Sequence, residues 1–302
     1  MSKQKTPQGV MNGRTVPVER RNEVRLSKDK EQSAKVRSVT YKIASDKKDL
    51  EDAYGLVWSN YVETGLQRAD DIGIRFTKYH LLPNTRVFVA HYHEELEEGN
   101  PAKFKGGGKC VGTVTLIVDG PMGLPMEEFC GDEIKKLREQ GRRVAEVVAF
   151  AVNPKYTRYK VFLHMFKLLF QFAGLKGVTD LCCSVTERHV KFYRKVCLFE
   201  PMGELVPYSA AYKLKVQGHR LDIEEANRKS REFYGGREFD ADLHRFFFSE
   251  NFSRKKGEGR PLSEDDISYF VKERTNFIDT LETHDLDILR SEYRNEGLSF
   301  PI

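Results

Sequence analysis

Residues 142–199 constrain the fold of this chain more than any other stretch. Arg143–Val152 (RVAEVVAFAV) is dominated by β-branched and small apolar residues and is stopped by Asn153-Pro154, which predicts a strand. Val161–Leu175 carries apolar residues on most faces and predicts a buried helix ending at Gly177. Asp180–Val185 is short and apolar, as a central strand covered on both sides requires. Glu187–Cys197 then predicts a second helix. Strand, helix, strand, helix in this order is a βαβα unit, and it implies a three-layer α/β domain.

The flanks extend that unit. Val39–Ala44 alternates apolar and polar residues as a first strand does, and Ser45 or Asp46 can cap a helix carrying Leu50, Tyr54, Val57 and Trp58. Thr85–Tyr92 and Cys110–Val118 read as antiparallel strands across a charged, glycine-rich loop. Met126–Glu139 reads as a short amphipathic helix and Tyr208–Val216 as a last strand. The domain is therefore expected over 38–220. Residues 221–302 turn charged and helix-favouring, with Ser263 and Asp266 close to a capping box ahead of Ile267, Phe270 and Val271. They are expected to form a helical C-terminal extension, packed on the core or on a second subunit.

Charge is unevenly placed. Residues 1–37 hold ten Lys/Arg and four Asp/Glu, a net of +6, whereas the whole chain carries +5, so residues 38–302 sum to −1. The tail, poor in apolar residues, is expected to be disordered. Its charge could meet an anionic membrane surface, and nucleic acid is not an expected partner. No stretch is long and apolar enough to span a bilayer, and the polar start has no apolar leader segment, so a cytoplasmic location is expected. Five cysteines without CxxC or CxxH spacing read as reduced, buried thiols, and eight histidines without HxxxH spacing imply no metal site. His91 and His93, two apart on a strand, are expected to face solvent or support packing.

The order of elements resembles the GNAT acyltransferase fold. More narrowly, YVETGL, IRFTKYHLLPNT, VGTVTLIVD with GLPMEE, GRRVAEV and HVKFYRKVCLF are similar to the long-chain N-acyl amino acid synthases, relatives of the acyl-homoserine lactone synthases. The resemblance covers about half the chain. It implies an N-acyltransferase that joins a fatty acyl group, carried as an acyl-phosphopantetheine thioester on acyl carrier protein, to the α-amine of an amino acid, with no tightly bound cofactor. Such chemistry needs a group to take the amine proton, donors to polarise the thioester carbonyl, and an acid for the leaving thiolate.

Glu146 is the candidate for the amine. Alternation puts it on one strand face with Val144, Val148, Phe150 and Val152, where desolvation would raise its pKa. The alternative is an ion pair with Arg142, Arg143 or another basic residue. Tyr193 matches the helix position where GNAT enzymes keep a tyrosine near the departing sulfur, and its alternative is a core tyrosine beside Phe192. His189, four residues earlier, could orient Tyr193 or meet the substrate carboxylate, or be structural. Backbone N–H groups at Ala149, Phe150 and Ala151 would polarise the carbonyl. Arg75 would hold the acceptor carboxylate bidentately, unless it is simply a solvated surface arginine. Cys182 and Cys183 lie in a central strand with no base at fixed spacing, which favours packing over a covalent acyl-enzyme.

The donor inference rests on a departure. Coenzyme A enzymes of this fold place a glycine-rich turn after the fourth strand to hold pyrophosphate. Here that turn is PKYTRYKVF, with no glycine between Pro154 and Gly174. This favours a carrier protein, for which Lys155, Arg158 and Lys160 form a candidate basic patch, or else an ordinary helix start. Two further readings stand beside it: a coenzyme A-dependent N-acetyltransferase of a polyamine or protein, and a catalytically degenerate GNAT-fold binding protein.

Overall fold

Seven strands form one mixed sheet in the order β1-β2-β3-β4-β5-β7-β6. The computed structural model describes residues 38–93, 108–209, 212–236, 242–248 and 259–302, without the side chains of 158, 159, 209, 212 and 213. The basic tail and most of the glycine-rich loop lie outside these residues. β1 (Ser38–Ile43), β2 (Arg86–His93), β3 (Lys109–Val118) and β4 (Val144–Val152) pair antiparallel in turn. β4 pairs parallel with β5 (Asp180–Thr186), as a βαβ crossover through α3 (Val161–Leu175) dictates. β6 (Glu200–Ser209) and β7 (Tyr212–Asp222) close the sheet as a hairpin.

That hairpin corrects the expectation of one strand over 208–216. Pro201, Gly203 and Pro207 weaken the strand pattern of β6, and its register slips between Met202 and Leu205 around a Gly203 at φ 71. β7 continues to Asp222, so a boundary at 220 falls inside a strand.

Helices cover both faces. Asp46 caps α1 (Lys47–Thr64) by accepting from the Asp49 N–H at 2.9 Å. α1 packs with α2 (Glu127–Glu139) on one face, where Leu50, Tyr54, Ile134 and Val144 share a core. Ile267 of α7 (Glu264–Ser268), Phe270 of the π turn Tyr269–Glu273 and Leu289 of α8 (Thr283–Asn295) join the same core. Ser263 and Asp266 form the full capping box at the start of α7. The opposite face carries α3, α4 (Val190–Lys195), α5 (Ile223–Tyr234) and α6 (Leu243–Phe248) over Phe88, Met165, Phe166, Phe172 and Leu181. α3 lies so close to β3 that a Cβ on Gly112 would come within 2.7 Å of Val161 and 2.8 Å of the Met165 sulfur.

Two local features depart from a regular βαβα unit. β4 bulges: Thr113 pairs with Ala151 and Thr115 with Val148, so Ala149 and Phe150 together face Val114. Ala149 takes φ 53, in the left-handed region. The bulge reverses the strand's alternation. Val144 and Val148 belong to the α1/α2 face, but Phe150 and Val152 turn to the α3 face, so they do not share a face with Glu146. The second feature is α4, which is shorter than expected because Glu187–His189 forms a 3-10 turn ahead of it.

Candidate active site

Glu146 sits where the sheet opens. Its neighbours across the ladders are Ile117 on β3 and Cys182 on β5. The β4–β5 ladder ends at that Glu146–Cys182 pair, and the bulge begins three residues later. The side chain is 2% exposed, and its Oε2 accepts from the Met126 N–H at 2.9 Å, just ahead of α2. Among the described residues no cation pairs with it. Arg142, the alternative partner, instead reaches Asp180 at 2.5 Å and Asp222 at 2.7 Å. Burial therefore pushes Glu146 up to about 8, opposed by the Met126 N–H and assisted by the charge of Glu127. A carboxyl group poised there gains the capacity to accept a proton as pH rises towards about 8.

Tyr61 on α1 joins Glu146 to the other candidates. Burial drives its phenol up to about 12, while Arg75, Tyr208 and Glu146 are all near enough to act on it. The Arg75 guanidinium lies 4.7 Å from the centre of the Tyr61 ring, and its Nη1 donates to Gln67 Oε1 at 2.9 Å. Arg75 is half-buried, and among the described residues it has no carboxylate partner. Sequence reasoning missed Tyr61, Tyr208 and the Met126 N–H. Tyr61 could have been found, because it continues the α1 stripe of Tyr54 and Val57 at helical spacing. The other two converge only through the fold.

Tyr193 lies on α4 with its ring among Phe162, Phe192 and Phe199. Burial holds its phenol well above the ordinary range, and Tyr61, Cys183 and Cys197 are the groups that act on it. The phenol therefore keeps its proton at physiological pH. His189 is not brought to Tyr193: its Nδ1 is hydrogen-bonded to Thr186 Oγ1 at 3.0 Å at the end of the 3-10 turn. Burial raises Cys182 and Cys183 far above the thiolate range, consistent with packing. His91 is buried against Asp49 at 3.3 Å, and His93 is hydrogen-bonded to Thr40. Among the described residues no cluster suits a metal ion.

The turn before α3 is a 3-10 segment, Pro154–Tyr159, with Lys160 at φ 53. Its amides serve the turn itself. The Lys155 and Tyr156 N–H groups donate to Asn153, and the Lys160 N–H to the Thr157 carbonyl. Lys155 and Lys160 are exposed there.

A family model described as N-acyl amino acid synthase FeeM matches residues 52–222, more than half of the chain. The chain belongs to the FeeM N-acyl amino acid synthase family. It is an acyltransferase, and its fold is GNAT-like. Among solved structures it is similar to FeeM, an N-acyl amino acid synthase from uncultured soil microbes, at 22% identity and a TM-score of 0.52, covering 64% of this chain and 95% of that one. It also matches BjaI, a coenzyme A-dependent acyl-homoserine lactone synthase, at 13% identity and TM-score 0.45, over 64% of this chain and 89% of that one. A GNAT acetyltransferase from Staphylococcus aureus Mu50 matches at 10% identity and TM-score 0.39, over 62% and 99%. No curated protein matches. Every residue placed around Glu146 above lies within the span of the FeeM family match. No helix among the described residues is long and apolar enough to cross a membrane.

Proposed function

We propose that this FeeM-family enzyme transfers a long-chain fatty acyl group from an acyl carrier protein thioester directly to the α-amine of an amino acid. The observation that carries this reading is the buried, cation-free Glu146 at the opening between β4 and β5. Its carboxylate takes a proton from the acceptor ammonium, directly or through water, and the freed amine attacks the thioester carbonyl. Backbone N–H groups around the bulge at Ala149, Phe150 and Ala151 face the developing oxyanion, since a bulge leaves part of its ladder unpaired. The C–S bond then breaks, Tyr193 gives its proton to the departing thiolate, and the second proton shed by the acylated nitrogen, passed through solvent, restores the phenol. Arg75 holds the acceptor carboxylate, supported by its stacking on Tyr61 and its lack of an acidic partner among the described residues.

Carrier protein is favoured over coenzyme A by the turn before α3, where no glycine opens the backbone and the Lys155, Tyr156 and Lys160 N–H groups bond within the turn and are not free to hold pyrophosphate. Lys155 and Lys160 would meet the carrier's acidic surface, while the side chain of Arg158, the third member of the expected patch, lies outside those described. The apolar face of α3, with Phe162, Phe166 and Met165, would line the acyl chain's path. Pure protein given an acyl carrier protein thioester, then acetyl coenzyme A, each with mixed amino acids, tests the reading by product mass. An N-acyl amino acid from the carrier thioester is expected. Acetylated amines from coenzyme A alone would select the acetyltransferase reading, and no product from either donor would leave a binding protein.

A further inference from the structure

The loop that carries Arg75 has no regular structure of its own between the end of α1 and the 3-10 turn Lys78–Leu81, so its geometry depends on tertiary contacts. Some of those contacts come from α1, where the Arg75 N–H donates to the Tyr54 carbonyl at 3.1 Å, and others from a part of the chain beyond the family match, which ends at residue 222. Three of them bracket Arg75. Three residues before it, the Ile72 carbonyl accepts from Arg274 Nη1 at 2.7 Å, and Arg274 Nε also donates to Glu51 Oε1 on α1 at 2.7 Å. Immediately after it, the Phe76 ring stacks on Phe270 at 5.5 Å and 14° and meets Phe277 edge-on at 5.4 Å. Three residues after it, Lys78 Nζ reaches Asp285 Oδ1 at 2.7 Å, and Asp285 is 6% exposed.

The π turn Tyr269–Glu273 makes this arrangement possible. Its wide closure, with the Arg274 N–H donating to the Tyr269 carbonyl at 2.8 Å, lets Phe270 enter the core while Arg274 reaches outward to the loop. Such wide turns interrupt a helix at a cost and recur at functional sites.

We propose that the C-terminal segment 264–295 is a clamp for acceptor recognition, with Arg274, Phe270, Phe277 and Asp285 as positioning residues that set where Arg75 stands. This rests on the reading of Arg75 as the acceptor's carboxylate anchor. The clamp acts on the acceptor side alone, so its loss should appear in acceptor binding and not in donor binding or the chemical step.

Full-length Arg274→Met keeps the side chain's length but loses both polar bonds. It should speed amide hydrogen exchange across Ile72–Lys78 about tenfold and raise acceptor KM about tenfold, the size expected for losing a charge-assisted bond. Donor KM and saturated kcat should stay within about twofold, and Arg274→Lys should recover part of the acceptor KM. Asp285→Asn should show the same pattern more weakly. Unchanged exchange and unchanged acceptor KM in Arg274→Met would overturn the clamp. So would parallel losses in kcat and both KM values with a lowered Tm, which mark a merely structural role. Arg75→Met separates the two claims. If it raises acceptor KM while Arg274→Met does nothing, the clamp falls and the anchor stands. If it leaves acceptor KM unchanged while Arg274→Met loosens the loop, the anchor falls and the segment holds the loop for some other purpose, which overturns its role in acceptor recognition.

Discussion

Two carboxylates lie on adjacent strands at the same depth and meet opposite fates. Asp180 opens β5 and is fully buried, and Glu146 lies on β4, 2% exposed. Burial pushes both upward. For Asp180 it is outweighed by hydrogen bonds from Arg142, Thr179 and Arg220, which hold the group below its ordinary 3.8. For Glu146 only the Met126 N–H opposes it, and the group stays near 8. Burial therefore does not set the charge of a carboxylate, and its partners do. At Asp180 the sheet is tied shut by an arginine pair shared with Asp222. Two residues further along, where β4 and β5 part, no cation among the described residues reaches Glu146, and its carboxyl group keeps a raised pKa.

The largest effect should come from breaking the paired side. Asp180→Asn leaves Arg142 and Arg220 with only Asp222 and should cost about 3 kcal/mol, read from urea midpoints at pH 7. A loss under about 1 kcal/mol would mean Asp222 suffices and the contrast with Glu146 is overstated. The stability carried by Asp180 is present above its unfolded value of 3.8 and disappears as pH falls through its lower folded value.

Next comes the unpaired side. Glu146→Gln keeps an oxygen for the Met126 N–H but cannot take a proton, so turnover should fall at least about tenfold with the fold intact. Unchanged turnover would remove Glu146 from the mechanism. In the parent enzyme kcat/KM should climb with pH to a plateau above about 8, and this limb should vanish in Glu146→Gln. Stability runs the other way. The folded state keeps a proton that the unfolded chain has lost between 4.5 and about 8, so Glu146 makes the fold less stable as pH rises through that window. Denaturation midpoints of parent and variant should therefore diverge in favour of the variant towards pH 9. Tyr193→Phe keeps the packing with Phe162 and Phe199 and should slow thiol release about tenfold while donor binding holds. Equal loss of both would assign Tyr193 to packing.

This contrast was half legible in the sequence. A glutamate inside a strand of valines announces a buried carboxylate, and the βαβα order from Arg143 onward places it in the sheet centre. Which cation it meets is a long-range question. An ion pair with Arg142, Arg143 or another basic residue is the alternative that sequence offers, yet a turn at the strand's start aims Arg142 at Asp180 and Asp222, 38 and 80 positions away. The bulge carried no signal either, because the left-handed residue is Ala149 and not a glycine. The expected grouping of Phe150 and Val152 with Glu146 failed for that reason alone. Tyr61 and Tyr208 reach the site from α1 and β6, which no local pattern connects. The C-terminal helices were readable as helices from Ser263 and Asp266, but their docking beside Arg75 depends on Phe76 and Lys78, 194 residues before Phe270 and 207 before Asp285.

The finest test leaves Glu146 in place and changes the charge beside it. Glu127 is the one carboxylate whose charge adds to burial in raising Glu146. It is itself held below its ordinary range by Arg138, whose Nη1 donates to Oε2 at 2.9 Å, so it is ionised whenever the enzyme works. Glu127→Gln removes that charge while its amide oxygen can still accept from the Leu124 N–H, now at 2.7 Å, and Arg138 keeps its bonds to Asp119. The helix start, and with it the Met126 N–H, should stay in place. The acid limb of kcat/KM should then move below about 8 by a fraction of a unit, with little change in its plateau. A limb that stays put would mean that burial alone sets Glu146. A limb that moves upward would mean that α2 has shifted and the Met126 N–H has been lost, making that single amide a larger influence than the neighbouring charge.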